Sequence, residues 1–208
     1  RDVAPSRGLG DVYKRQEYNR CLASIPRMRA LIRESRRWLE PNVSISLDEW
    51  NVWYAWYRPS SVTDGIYAAL AMHLLMEEAE KSGVALACHF QAVNEGMLCV
   101  EPEGVSLTAQ GQMFSLMNRH AGNRVCSASQ EAVVTVDREN AVTATLVNAS
   151  FCREKPVDFS QYGPCREAIL YTSSTVLPPS AFEKRDILEQ ARNGSLCMPP
   201  HSVLLLRF

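Results

Sequence analysis

The sequence lacks a long apolar run and any excess of charge of one sign. No stretch of its 208 residues approaches the roughly 20 apolar residues of a membrane helix, and the N-terminus shows no apolar signal core. With 22 basic and 23 acidic side chains, the net charge of -1 offers no general attraction to phosphate or anionic lipid. These absences favour a cytoplasmic protein that binds neither nucleic acid nor membrane, with secretion left open because the N-terminus is expected to be missing.

The sequence also lacks the clustered ligands of a metal site or a disulfide scaffold. Its seven cysteines form no CxxC pair, and their number is odd and their spacing irregular. The four histidines, His73, His89, His120 and His201, have no metal-ligand spacing to one another. We therefore expect reduced, mostly buried thiols, with no metal and no cofactor.

What the sequence has is enough apolar material for a core, because 46% of its residues are hydrophobic. Residues 1–16 stand apart, since the run from Ser6 to Gln16 has neither a helical nor a strand period. The run resembles translated adaptor sequence, and no initiator Met precedes it. We expect a non-native or disordered tail there and an incomplete gene product.

Residues 17–122 alternate between helical and strand patterns. In chain order the patterns predict a helix over 18–39, a strand over 43–48, a helix over 64–81, a strand over 84–91 and a helix over 107–120. If Ser24 caps the first helix, that helix begins near residue 24. Such alternation is typical of parallel βα units. The arginines of the first helix are interpreted as a solvated face rather than a nucleic-acid surface, because no aromatic residues interleave with them.

From residue 123 to residue 208 the pattern changes to short alternating strands. Strands are predicted at 123–128, 131–137, 141–149, 167–172 and 202–208, and two diproline segments lie between the last two of them. This pattern favours an antiparallel β-sandwich. The expected fold class is therefore α/β followed by all-β, with a boundary near residue 122.

The most informative segment spans residues 47–57, where three of the four tryptophans lie close to an acidic pair. Glu49 is predicted at the C-terminal end of a strand in a βα unit, which is the active-site face of a parallel barrel. A carboxylate beside aromatic rings suits sugar hydrolysis, because the carboxylate can attack the anomeric carbon while rings stack on the sugar. A buried ion pair or a capping acid next to core aromatics is the alternative.

The run from Asp48 to Tyr54, DEWNVWY, resembles the nucleophile motif of glycoside hydrolase family 51, the α-L-arabinofuranosidases. The resemblance continues at residues 89–94, 107–114, 118–122 and 199–203. It implies that residues 17–122 are the C-terminal portion of a (β/α)8 TIM barrel and that residues 123–208 form the β-sandwich after it. It also implies release of terminal α-L-arabinofuranosyl groups from arabinan and arabinoxylan oligosaccharides with retention, and an oligomer at full length.

The same resemblance assigns three site residues. Glu49 matches the nucleophile at the end of strand seven, and Trp53 matches an aromatic that lines the arabinose pocket. Gln91, at the end of strand eight, matches a glutamine that binds the sugar and orients the nucleophile. No metal or cofactor is implied.

Retention needs a second carboxyl group about 5 Å from the nucleophile. In the family this acid/base follows strand four, so we expect a fragment that carries the nucleophile, lacks the acid/base, and is inactive and poorly soluble alone. Glu95 is interpreted as a rim residue or salt-bridge partner in preference to a second carboxylate. Asp48 is expected to have a structural hydrogen-bonding role. His89 is expected in the core, with a pocket-facing role left open.

Two alternatives remain at this point. One is another retaining barrel glycosidase, such as a β-xylosidase or an endoglucanase. The other is a non-catalytic carbohydrate-binding or assembly fragment made mainly of the sandwich.

Overall fold

The computed structural model describes residues 5–52 and 58–208, with side chains from residue 12 onward. None of the helices in these ranges is both long and apolar enough to cross a membrane. The helices are α1 (Pro5–Leu22), α2 (Ser24–Arg37), α3 (Val62–Ser82), α4 (Ala109–Met117) and α5 (Leu188–Ala191). The strands are β1 (Ile45–Trp50), β2 (Val84–His89), β3 (Leu98–Glu101), β4 (Gly104–Leu107), β5 (Arg124–Ala128), β6 (Ala132–Val136), β7 (Val142–Asn148), β8 (Lys155–Asp158), β9 (Glu167–Thr172), β10 (Glu183–Asp186), β11 (Ser195–Met198) and β12 (Ser202–Arg207).

Helix α1, Pro5–Leu22, runs through most of the segment that was expected to be a disordered or non-native tail. Of its described side chains only Tyr18 and Cys21 are buried. The Tyr18 hydroxyl donates to the Ala149 carbonyl at 3.1 Å. Tertiary packing, rather than an amphipathic period visible in sequence, therefore holds this helix.

A turn at Ala23 separates α1 from α2, and Ser24 donates to the Cys21 carbonyl at 2.6 Å instead of capping α2. The arginines of α2 are not simply a solvated face. Arg29 pairs with Glu77 at 2.7 Å, and Arg33 pairs at 2.8 Å with Glu78, whose side chain is fully buried. These pairs fix α2 against α3 because each buried carboxylate keeps a cationic partner.

Strands β1 and β2 form a two-stranded parallel sheet that α3 connects. The Asp64 carboxylate accepts from the Ser61 backbone N–H at 2.8 Å, so a capping box begins α3. Gly83 ends α3 with a φ of 72°, a left-handed conformation that favours glycine. Strand β1 starts two residues later than predicted and ends at Trp50, so Glu49 is its penultimate residue.

A hairpin of β3 and β4, for which the sequence analysis predicts no strands, lies between β2 and the following helix. Helix α4 follows and is shorter than predicted, because its last turn, Asn118–His120, is a 3₁₀-helix. Thr108 caps α4 by accepting from the Gly111 N–H at 3.1 Å.

The C-terminal region is a six-stranded antiparallel sheet in the order β10-β9-β12-β7-β6-β5, with β8 and β11 paired separately. On β12, Val203 and Leu205 belong to the core that includes α3. Leu204 and Leu206 belong to a second core that includes Met198 of β11. The large sheet therefore lies between α3 and the small β8–β11 sheet, an arrangement compatible with the predicted sandwich.

Two buried histidines join the helices to this sheet. His73 of α3 and His120 both contact the Thr145 hydroxyl through Nε2, at 2.7 and 3.0 Å. His120 Nδ1 also lies 2.8 Å from the Thr135 hydroxyl. Both histidines are packed in the core. Threonine hydroxyls contact three of their four ring nitrogens, and His73 Nδ1 lies 3.3 Å from the Gln130 carbonyl.

The cysteines differ from the expectation of mostly buried thiols. Cys21 is buried, but four of the seven are exposed: Cys88, Cys126, Cys152 and Cys197. Three of these, Cys88, Cys126 and Cys197, lie on strands that have a single neighbour, namely β2, β5 and β11. A strand with a single neighbour leaves one edge and part of its surface uncovered, so its cysteines can be exposed. The sequence pattern does not show which strands have a single neighbour.

Candidate active site

Glu49 lies where the carboxyl end of β1 meets the surface. Its side chain is exposed and lines a groove of about 490 Å³ between α2 and β1. Met28, Leu31 and Ile32 supply much of the apolar wall, and Arg27 adds one cation. Among the described residues that line this groove, Glu49 is the sole carboxylate.

Trp50, next to Glu49, is a core residue rather than a sugar platform. It is buried and stacks on Phe114 of α4, with ring centroids 5.8 Å apart and planes 18° apart. His89 meets Trp50 edge-on at 4.9 Å. The aromatic density that suggested a sugar site is thus partly explained by packing. Trp53, predicted to line the sugar pocket, lies outside the described residues.

His89 packs edge-on against both Trp50 and Phe114, with ring centroids 4.9 and 5.0 Å away. Burial lowers the pKa of His89 to about 4, while the neighbouring Gln110 acts in the opposite direction. A neutral ring in contact with two aromatic rings favours the core interpretation of His89 over a pocket-facing role.

Gln91 lies just beyond β2 and is exposed. The register pairs Trp50 with His89, and the Phe90 N–H donates to the Trp50 carbonyl at 3.1 Å. Glu49 and Gln91 therefore lie at the same end of two adjacent parallel strands. Gln91 follows a cis peptide bond, and it is not among the residues that line the Glu49 groove.

Asn51 is a residue of this region that sequence reasoning missed. Its Nδ2 donates to the carbonyls of Phe90 at 2.5 Å and Glu95 at 2.9 Å. Its Oδ1 accepts from Gln110 Nε2 at 2.7 Å. Both Asn51 and Gln110 belong to stretches that resemble the family, but nothing in their spacing indicated that they meet.

Glu95 does not form the salt bridge that was considered for it. Within the described ranges it has no ion pair, and its Oε2 is buried without a hydrogen-bond partner. It lines a separate cavity of about 420 Å³, together with Ser60 and Pro179. The side chain therefore does not share a groove with Glu49. The Asp48 carboxylate accepts from the Ser46 hydroxyl at 2.7 Å, a structural contact of the kind expected.

The described residues hold no group of three or more His, Cys, Asp or Glu side chains placed to bind a metal ion. The groove thus offers one exposed carboxylate beside an apolar wall. That arrangement suits attack on an electrophilic carbon, for which the attacking group must be ionised and reachable. A second carboxyl group is needed for leaving-group protonation.

Solved structures with a similar fold include several glycoside hydrolases. The α-L-arabinofuranosidase of Thermotoga maritima, solved with arabinose, aligns with a TM-score of 0.71 at 18% identity over 92% of this chain and 50% of its own. A family 51 α-L-arabinofuranosidase of Bifidobacterium longum gives 0.67 at 18% identity, over 90% and 48%. The catalytic domain of a family 30 xylanase C from Talaromyces cellulolyticus gives 0.51 at 12% identity, over 80% and 41%.

The chain therefore has a fold similar to that of part of these arabinofuranosidases, and it spans about half their length. The resemblance to family 51 predicted from the DEWNVWY motif is confirmed in the fold. No family model and no curated protein matches the sequence.

Proposed function

We propose that this chain is part of a retaining glycoside hydrolase that releases terminal α-L-arabinofuranosyl groups from arabinan and arabinoxylan oligosaccharides. The observation that carries the proposal is the exposed Glu49 carboxylate at the end of β1, in a fold similar to that of arabinofuranosidases. In this proposal β1 and β2 are strands seven and eight of a (β/α)8 barrel.

The proposed reaction has two displacements. A Glu49 oxygen attacks the anomeric carbon while the bond to the leaving-group oxygen breaks, and a carboxylic acid protonates that oxygen. Water then attacks the same carbon, the acid/base takes its proton, and Glu49 leaves. Gln91 and Trp53 would hold the sugar, as the family motifs imply. The acid/base is not among the described groove residues, so we assign it to sequence outside residues 17–208.

The substrate assignment is tested with the protein made from its complete coding sequence. We expect hydrolysis of 4-nitrophenyl α-L-arabinofuranoside, with the α-anomer as first product in time-resolved NMR. We expect 4-nitrophenyl β-D-xyloside to react at least about 100-fold more slowly, since lost sugar hydrogen bonds leave polar groups unpaired. A preference for the xyloside would instead support the alternative of another retaining barrel glycosidase, such as a β-xylosidase. The similarity in fold to the family 30 xylanase supports that alternative.

Residues 17–208 alone are expected to show no hydrolysis of natural arabino-oligosaccharides, because an unactivated leaving group needs the missing acid. The segment is also expected to self-associate. Leu31 is 70% exposed on α2 and Leu86 is 55% exposed on β2, beside a two-stranded sheet with uncovered edges. Product analysis by chromatography and size-exclusion chromatography with light scattering check both points. Measurable turnover by this segment would contradict the assignment of the acid/base to sequence outside it.

A further inference from the structure

We propose that Asn51 and Gln110 form a positioning clamp that fixes the carboxyl ends of β1 and β2 against each other, and so sets Glu49 relative to Gln91. The inference rests on the proposed function, because it concerns the placement of the proposed nucleophile and sugar ligand. It assigns neither residue a direct contact with substrate.

Asn51 uses its whole amide group. Both donors of Nδ2 are directed at the segment after β2, to the carbonyls of Phe90 and Glu95. Oδ1 accepts from Gln110 and from the Val52 N–H, at 2.7 and 2.6 Å. A primary amide has two donors and two acceptor sites, so these four bonds satisfy it completely. Removing the side chain would leave several half-buried polar groups without partners.

Gln110 completes the clamp from α4. It lies on α4 with only 2% of its surface exposed. The backbone partners of Asn51 set its amide, because the two carbonyls can only accept and the Val52 N–H can only donate. Asn51 Oδ1 therefore faces α4, where Gln110 Nε2 donates to it. The buried glutamine adds a bond that fits this one orientation of the Asn51 amide.

The clamp acts on both proposed site residues through very short stretches of chain. Glu49 is two residues before Asn51. The Phe90 carbonyl that Asn51 binds belongs to the peptide bond that leads into Gln91. A further contact, from the Tyr67 hydroxyl to the Asn51 carbonyl at 3.4 Å, anchors the same point to α3. Small movements of Asn51 would thus be passed to both side chains.

Asn148 provides a matched control for a purely structural role. Its Nδ2 donates to three backbone carbonyls, those of Arg153, Met198 and Pro199, at 2.9, 3.1 and 2.8 Å. It lies at the end of β7, in the sheet rather than in the β1–β2 unit. Replacing Asn148 by Ala removes the same kind of bonds as replacing Asn51, but away from Glu49 and Gln91.

The experiment uses the protein made from its complete coding sequence and 4-nitrophenyl α-L-arabinofuranoside. The variants are Asn51→Ala, Gln110→Ala, the double variant, Asn148→Ala and Glu49→Gln. We expect Asn51→Ala to lower kcat about 100-fold with a smaller change in KM, as for a misplacement of about 1 Å.

Asn148→Ala should lower the melting temperature at least as much as Asn51→Ala does, while its kcat stays near wild type. Gln110→Ala should lower kcat in the same direction, and the double variant should be no worse than Asn51→Ala, because both changes open one clamp.

The outcomes separate this inference from the proposed function. If Glu49→Gln is inactive but Asn51→Ala keeps wild-type kcat, or loses no more than Asn148→Ala, the clamp is overturned and the proposed function stands. Independent, additive losses for Asn51 and Gln110 would also overturn it. If Glu49→Gln retains wild-type turnover, the proposed function fails and the inference fails with it.

Discussion

Replacing Glu49 by Gln in the protein made from its complete coding sequence is expected to abolish nearly all turnover while leaving the protein folded. Gln keeps the size of the side chain but is not an anionic nucleophile, so the covalent intermediate cannot form. Loss of a nucleophile in an assembled site costs on the order of 10⁴-fold or more in kcat. Because Glu49 is exposed at the end of β1, the substitution leaves the packing around it unchanged. Arabinofuranoside kinetics and thermal unfolding measure the two effects separately.

Asp48→Asn is the matched control for this prediction. Asp48 neighbours Glu49 on β1, is also exposed, and accepts a hydrogen bond from Ser46 that an asparagine oxygen can still accept. We expect this variant to keep most of the wild-type rate. Wild-type rates for Glu49→Gln would contradict the nucleophile assignment, because hydrolysis would then use another group. No hydrolysis by the wild-type protein would instead favour the non-catalytic carbohydrate-binding alternative, in which Glu49 has no chemical role.

The sequence predicted those elements of the fold whose own residues carry a clear signal. The cap at Ser61 with Asp64, the stop at Gly83 and the strand at Glu167–Thr172 were all readable because each depends on local chemistry. Strand β10 was not readable, since Glu183–Asp186 is a run of four exposed charged residues with no apolar alternation. It is an edge strand bonded to β9 alone, a position where charged residues are favoured.

In the candidate site, too, the features with a local sequence signal were predicted and those that depend on tertiary packing were not. Glu49 was identified by a motif and by its place at a strand end, both of which are local. The contact between Asn51 and Gln110 joins residues 59 positions apart, and the Thr145 hydroxyl meets His73 and His120 across 72 and 25 positions. Such pairs arise from tertiary packing, so one sequence alone does not reveal them. The core role of Trp50 was hidden for the same reason, because its partner Phe114 lies on a distant helix.

Lowering the pH from 6.5 towards 4 is expected to weaken the packing of the large sheet against the helices. Burial lowers the pKa of His73 to about 3 and that of His120 to about 4. In the unfolded chain a histidine has a pKa near 6.5. Below pH 6.5 the unfolded chain therefore binds protons at both histidines while the folded chain does not, and stability falls as the pH falls. Above pH 6.5 both forms are neutral, so this contribution is constant.

The pH range over which stability falls follows from the same pKa values. The loss begins near pH 6.5 and continues to about pH 4 for His120 and about pH 3 for His73. Within it, each histidine contributes a slope on the order of 1.4 kcal/mol per pH unit to the free energy of unfolding. His89 and His201 also have a lowered pKa from burial and add in the same direction. Carboxylates with a lowered pKa, such as Asp137, titrate at lower pH, so measurements between pH 6.5 and 5 isolate the histidines.

Urea unfolding at a series of pH values tests this in wild type and in the double variant His73→Gln with His120→Gln. The double variant should lose a slope on the order of 2.8 kcal/mol per pH unit between pH 6.5 and 5, since two titrating groups are gone. Thr145→Val is the control, because it removes the shared hydroxyl and destabilises the same interface while keeping both histidines. It should lower stability at every pH and keep the wild-type slope. An unchanged slope in the double variant would show that the two histidines do not carry the acid sensitivity, and that protonation is tolerated where the sheet meets α3.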